Sequence, residues 1–262
     1  MPDDYYVSKY SGEEIDERLT AAHNAVRYDA AQPLTDAQKQ QARENIEAAS
    51  RATQDAVFAK TPAGKSVTLT PAELPAYLAA LPRMLTENLT ITLTAGTVTE
   101  AIIMDGFYGG GHLTIQAAEG ADVRFSNYVY IRSCTAVFFQ NLKFTGGKVY
   151  SDAHVVAYTS FVLFLGCSFD AESDPTASGL IVTNGSIVYL ENGSFTNCKV
   201  AVTVSGSSVI TLANTSGSGN EFGIYIWNGG IAILYGTTQE LLGGATNVKD
   251  GGLIVKKDGT LM

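Results

Sequence analysis

A chain of 262 residues, 45% hydrophobic and only 16% charged, is long enough for one large domain and a smaller element. Its net charge of -9 and its lack of Lys/Arg clusters exclude a broad nucleic-acid-binding surface, which needs grouped cations against phosphates. The opening Met1-Pro2-Asp3-Asp4-Tyr5-Tyr6 lacks the basic and apolar stretches of a secretory signal. No apolar run reaches the roughly 18 residues of a bilayer span, so membrane insertion is not expected.

Residues 1–85 form a region of their own, expected to be helical: an anchor followed by a cap. Ser11-Gly12-Glu13-Glu14 fits a capping box, with Tyr10 and Ile15 placed for a hydrophobic staple. Ile15, Leu19, Ala22 and Val26 then share one helical stripe. That stripe suits either a short coiled-coil seam or an ordinary amphipathic helix. A second helix is expected from Thr35 to about Ala49, after Pro33. Its apolar face (Ala42, Ile46, Ala49) is too weak to stand alone in water and needs a partner. A third helical piece is expected over 71–81. It is capped by Thr70 with Pro71 at its first position, restarted at Pro75 and ended by Pro82. Its Leu74, Tyr77, Leu78 and Leu81 face is placed to cover the open end of whatever follows.

Over 86–262 the pattern changes to short β runs separated by turn residues. Leu93, Ile115, Phe139, Leu165, Leu190, Leu212, Leu234 and Val255 recur at steps of 21 to 26, each in a similar strand. A second column runs Ile103, Phe125, Val149, Ile181, Val202, Ile224, Val248. Two positions after each member of the first column up to Leu234 stand Ala95, Ala117, Asn141, Cys167, Asn192, Asn214 and Gly236. All are small or Asn, as a left-handed corner that stacks from coil to coil requires. The expected fold is therefore mainly β: a right-handed parallel β-helix behind a short helical anchor.

If the first ladder faces inward, its neighbours face outward. One outward file is then Phe138, Phe164, Tyr189, Thr211, Ile233, and the next is Ala136, Val162, Ile187, Val209, Ile231. A parallel sheet apolar on both faces is a sheet covered on both faces. Either the N-terminal helices or other copies of the chain cover it. A homotrimer is expected, with Phe138, Phe164, Tyr189, Ile187, Val209 and Ile233 at the seam.

Three segments add a resemblance. Gln32-Pro33-Leu34-Thr35-Asp36-Ala37-Gln38-Lys39-Gln40-Gln41-Ala42-Arg43-Glu44-Asn45-Ile46 resembles a stretch common in tail-fibre and head-fibre proteins of tailed phages. Tyr10-Ser11-Gly12-Glu13-Glu14-Ile15-Asp16 is similar to an N-terminal segment of such proteins, and the run from Leu81 to Ile91 to the entry of their repeat domains. Glu47 stands where that family has Gly, so the helix is free to run on where relatives turn. The resemblance implies a virion component assembled in the bacterial cytoplasm. It also implies a trimer, attachment to other virion proteins through the N-terminal region, and binding to host-surface carbohydrate.

The resemblance extends to phage β-helix proteins that cleave surface polysaccharides, and such cleavage requires a pair of carboxylates. The candidates are Asp105, Asp152, Asp170, Glu172, Asp174 and Glu191. Asp170, Glu172 and Asp174 belong to a coil-lengthening insertion that reads as a solvated loop, a sugar contact or a calcium loop. The last lacks the Gly and distal Glu of an EF-hand. Arg124 and Arg132 lie far from it in sequence. Asp152-x-His154 is a weak base–orienter pair, and His23 and His112 offer no more. Phe107-Tyr108-Gly109-Gly110-Gly111-His112 lacks the Lys-Ser/Thr of a phosphate loop and reads as a turn. No catalytic residue is assigned, and no cofactor or metal is expected. Cys134, Cys167 and Cys198 are odd in number and widely spaced, as packed thiols are. For contact with sugars, Tyr225 and Trp227 are preferred. They alternate with inward Ile224 and Ile226 and offer ring faces for stacking. Three functions remain open: an adhesive virion fibre, a depolymerase, and a purely architectural spike.

Overall fold

The computed structural model describes Thr35, Ala37, Gln40, Gln41 and residues 66–146, 153–171, 174–236, 242–256 and 258–261. The chain divides into two compact units, Met1–Thr53 and Gln54–Met262. Of the first, only Thr35, Ala37, Gln40 and Gln41 are described, the last three of them helical. The capping box at Ser11, the stripe from Ile15 to Val26 and most of the second helix lie outside the described residues.

The second unit is a parallel β-solenoid of about seven turns. Each coil contributes a strand to three sheets in turn: sheet I with nine strands, sheet II with six and sheet III with seven. A complete coil runs, for example, Ile187–Glu191, Ser194–Thr196, Val200–Val204 before the next begins at Val209. All pairings within the three sheets are parallel. Nine strands at about 4.8 Å spacing give sheet I a height of about 38 Å. Ser66–Leu69, within the region assigned to anchor and cap, is the first strand of sheet I and pairs with Leu89–Leu93.

The stack forms because inward residues repeat coil by coil. In sheet I the inner files are Leu89, Leu113, Val137, Val162, Val188, Ile210, Ala232, Ile254 and Ile91, Ile115, Phe139, Phe164, Leu190, Leu212, Leu234. All are buried. Sheet II adds Phe125, Phe144, Phe169 and Phe195, stacked with centroids 5.1, 5.0 and 4.7 Å apart. Such pairs contribute about 0.5–1.5 kcal/mol each beyond the area they bury.

Four expectations are corrected. In the first column Leu93 stacks on Ala117 while Ile91 stacks on Ile115, and Val255 lies on outward Ile233, not on Leu234. At Phe161–Leu165 the register places Phe164, not Leu165, over Phe139, so Phe164 is a fully buried core ring and not a seam residue. Val162 turns inward with it, and Phe161 takes the outward place. Every residue of Phe161-Val162-Leu163-Phe164-Leu165 is apolar, so alternation alone cannot phase it. The same one-residue shift moves the corner column: Asn141, Gly166, Asn192, Asn214 and Gly236 are the left-handed positions, with φ of 55°, 60°, 53°, 49° and 62°. Gly166 stands there instead of Cys167. The first four of these residues donate their N–H to the next coil's carbonyl, at 2.8 to 2.9 Å. Finally, the second column mixes files. Ile102, Val129, Val155, Leu180, Val202 and Ile224 stack inside sheet III, whereas Ile103 is 56% exposed and Phe125 belongs to sheet II.

Polar side chains hold the corners. Cys134 N–H donates to Ser160 Oγ (3.0 Å), Ser160 N–H to Ser186 Oγ (3.1 Å) and Ser186 N–H to Ser208 Oγ (3.1 Å), all in the interior. A buried N–H left without such a partner costs about 1–3 kcal/mol. Each cysteine occupies a different corner: Cys134 before sheet I, Cys167 before sheet II, Cys198 before sheet III. Their thiols point at backbone carbonyls of Arg132, Phe139 and Thr196, and burial pushes Cys167 and Cys198 up to about 12.

The first coil is covered by helix α1, Leu74–Ala80, whose Leu74 and Leu78 join the core while Tyr77 and Leu81 pack against it. Pro75 lies in its first turn, and Glu73 Oε2 accepts from Thr70 N–H (2.7 Å) and Oγ (2.8 Å) instead of a side-chain N-cap. The Gly109-Gly110-Gly111 stretch is a corner where backbone crosses backbone. A Cβ on Gly109 or Gly111 would lie 2.2 or 2.1 Å from the Leu85 or Glu87 carbonyl oxygen.

Candidate functional site

Two surface features stand out, a groove on sheet III and the outer face of sheet I. The groove begins at the insertion after Ser168–Asp170. Ala171 N–H donates to Thr196 O (3.0 Å) and Lys199 N–H to Ala177 O (2.9 Å), so both feet of the loop are tied to the coil below. Ala171 and Ala177 are buried against Cys198. Asp174 Oδ1 accepts from Thr176 N–H (3.2 Å) and Oγ1 (2.7 Å), which sets the turn through Pro175. Thr176 is thereby presented at the groove edge.

The groove encloses about 280 Å³ and is lined by Thr176, Ser178, Lys199, Val200, Phe222, Tyr225 and Asn247. Register explains the assembly. Thr203, Tyr225 and Asn247 stack at one outward position, while Val200 and Phe222 stack at the strand starts. Lys249 Nζ lies 5.8 Å from the Tyr225 ring centroid. The groove thus combines ring faces, hydroxyls, an amide and a cation.

Of the residues expected to bind, Tyr225 lines the groove. Asp174 borders it through Thr176. Asp170 Oδ1 accepts from Asn197 Nδ2 (3.1 Å) at the end of its sheet II strand. Trp227 is 41% exposed just beyond the strand and is not part of the lining. Glu172 lies outside the described residues. Lys199, Phe222 and Asn247 were missed in sequence. The available signal was vertical: Asn247 stands 22 positions after Tyr225, as Phe222 does after Val200.

The remaining carboxylates are dispersed. Glu191 lies on sheet I, where its Oε2 accepts from Tyr189 O–H at 3.4 Å. Burial and this carboxylate together push Tyr189 up. Asp105 pairs with Arg132, whose hydrogen bond holds its carboxyl below the usual range. Asp122 pairs with Arg124 (2.7 Å) and Lys143 (2.8 Å), and their hydrogen bonds lower it to about 2. His154 is wholly buried, and His112 packs on Phe138 with ring centroids 4.6 Å apart. Asp152 and His23 lie outside the described residues. Among the described residues no carboxylate lines the groove, and no group of three or more His, Cys, Asp or Glu side chains converges as a metal site.

The outer face of sheet I is apolar over five successive coils. One file stacks Phe161, Ile187, Val209, Ile231 and Leu253; the other stacks Phe138, Leu163, Tyr189, Thr211, Ile233 and Val255. Phe161, Ile187 and Leu253 are 40%, 52% and 40% exposed. Phe138, Tyr189, Val209 and Ile233 are half-buried. No family model matches this chain, and neither does any curated protein or solved structure.

Proposed function

We propose that the chain is an adhesive fibre subunit of a tailed-phage virion. Three right-handed solenoids join through the outer faces of sheet I, the N-terminal region docks on other virion proteins, and the groove on sheet III engages host-surface glycan. The observation that carries the reading is the double apolar file on sheet I, which a rod alone in water would leave exposed. These side chains are already about half-buried in the single chain, so covering each adds about half of the ~1.5–3 kcal/mol of full burial, and the two files together favour association. The resemblance of residues 10–16 and 32–46 to phage fibre segments supports the virion assignment. The groove supports binding over hydrolysis: it offers stacking rings and hydrogen-bonding groups, whereas glycoside cleavage needs two carboxylates about 5–10 Å apart.

Sedimentation equilibrium of the full chain tests the assembly. Three times the chain mass, unchanged by dilution to low micromolar concentration, is the expected result. A monodisperse monomer overturns the fibre reading.

A further inference from the structure

Resting on the glycan-adhesion reading of the same groove, we propose that its ligand is an acidic saccharide. A sugar ring stacks on Tyr225, and its carboxylate or phosphate is taken up by the Lys199 ammonium, with Lys249 beside the same ring. The distribution of cations points this way. The chain carries a net charge of -9, so an acidic polymer is repelled by most of its surface. Arg124 and Lys143 share Asp122, and Arg132 is held by Asp105. Lys199 and Lys249 form no ion pair among the described residues. Yet Lys199 lines the groove, and Lys249 Nζ stands 5.8 Å from the Tyr225 ring within it. Two cations with no ion pair among the described residues therefore meet at one aromatic surface of an acidic protein.

The described carboxylates of the bordering loop have partners of their own. Asp174 accepts from Thr176, Asp170 accepts from Asn197, and neither lines the groove. Thr176, Ser178 and Asn247 supply the hydroxyls and amide that ring hydroxyls need. At about 280 Å³ the space is at the lower end of small-ligand sites, which suits one ring of a longer chain.

Isothermal titration calorimetry on the full chain tests the proposal with three probes: a galacturonate tetrasaccharide, a glycerol-phosphate oligomer of equal charge, and maltotetraose. One acidic probe should bind at least tenfold tighter than maltotetraose, more weakly as sodium chloride is raised. Which one binds separates a carboxylate from a phosphate source. Lys199→Gln should weaken that binding roughly tenfold, and Tyr225→Ala should remove it. Lys199 is exposed, so its variant keeps the fold, which light scattering verifies. Equal binding of maltotetraose, or full affinity in Lys199→Gln, overturns the acidic ligand and leaves adhesion standing. Failure of all three probes with the trimer intact removes both.

Discussion

Sheets I and II present similar interiors and opposite exteriors. Inside, Phe164 of sheet I and Phe169 of sheet II are both fully buried, with centroids 5.6 Å apart. Outside, sheet II shows Asp122, Arg124, Lys143, Ser168, Ser194, Thr196, Ser216 and Ser218, whereas sheet I shows Phe161, Ile187, Val209, Ile231 and Leu253. Stacking dictates the first set and is indifferent to the second. The outer residues are therefore free to match the surroundings of each sheet: polar on sheet II as in water, apolar on sheet I as the proposed assembly requires.

The sharpest way to break this contrast is to make the two exteriors alike. Ile187→Asp with Ile231→Asp should reduce the light-scattering mass threefold, from trimer to monomer. Ser194→Asp on sheet II should leave it unchanged. A trimer that survives the double substitution places the seam elsewhere. The interiors should respond equally where the exteriors do not: Phe164→Ala and Phe169→Ala should each cost about 3–5 kcal/mol in urea unfolding. A much smaller loss for Phe164 would return that residue to the surface. The smallest effect concerns the charged exterior. Asp122 is held at about 2, below its ordinary 3.8, chiefly by hydrogen bonds from Arg124 and Lys143. A depressed carboxylate stabilises the fold above its unfolded value, and that contribution fades as pH falls through about 3.8 towards 2. Lys143→Gln should move the Asp122 carboxyl upward in an NMR titration, without changing the mass of the assembly.

Much of the solenoid was legible because a β-helix writes its third dimension into a period. Ile115 and Phe139, or Leu190, Leu212 and Leu234, sit where counting placed them. Phase failed where composition erased alternation. Phe161 to Leu165 is apolar at every position, and only the left-handed Gly166 distinguishes the right register from its neighbour. The serine ladder was invisible for another reason: Ser160, Ser186 and Ser208 look like turn residues until the preceding coil supplies the N–H that each Oγ accepts. In the groove, Tyr225 was recognisable by its aromatic alternation. Lys199 and Asn247 become partners only once coils are superposed, and nothing local marks them.

The thiols at the three corners have a consequence for redox chemistry. The thiolate is the form that attacks disulfides or alkylating agents, and burial disfavours it at Cys167 and Cys198. Cys167 and Cys198 are thus shielded from reaction in the folded chain, and Cys134, also buried and shifted upward, is shielded in the same sense. Set at separate corners, the three have no disulfide to exchange into. Iodoacetamide should therefore label the three slowly in the folded chain and rapidly once it unfolds.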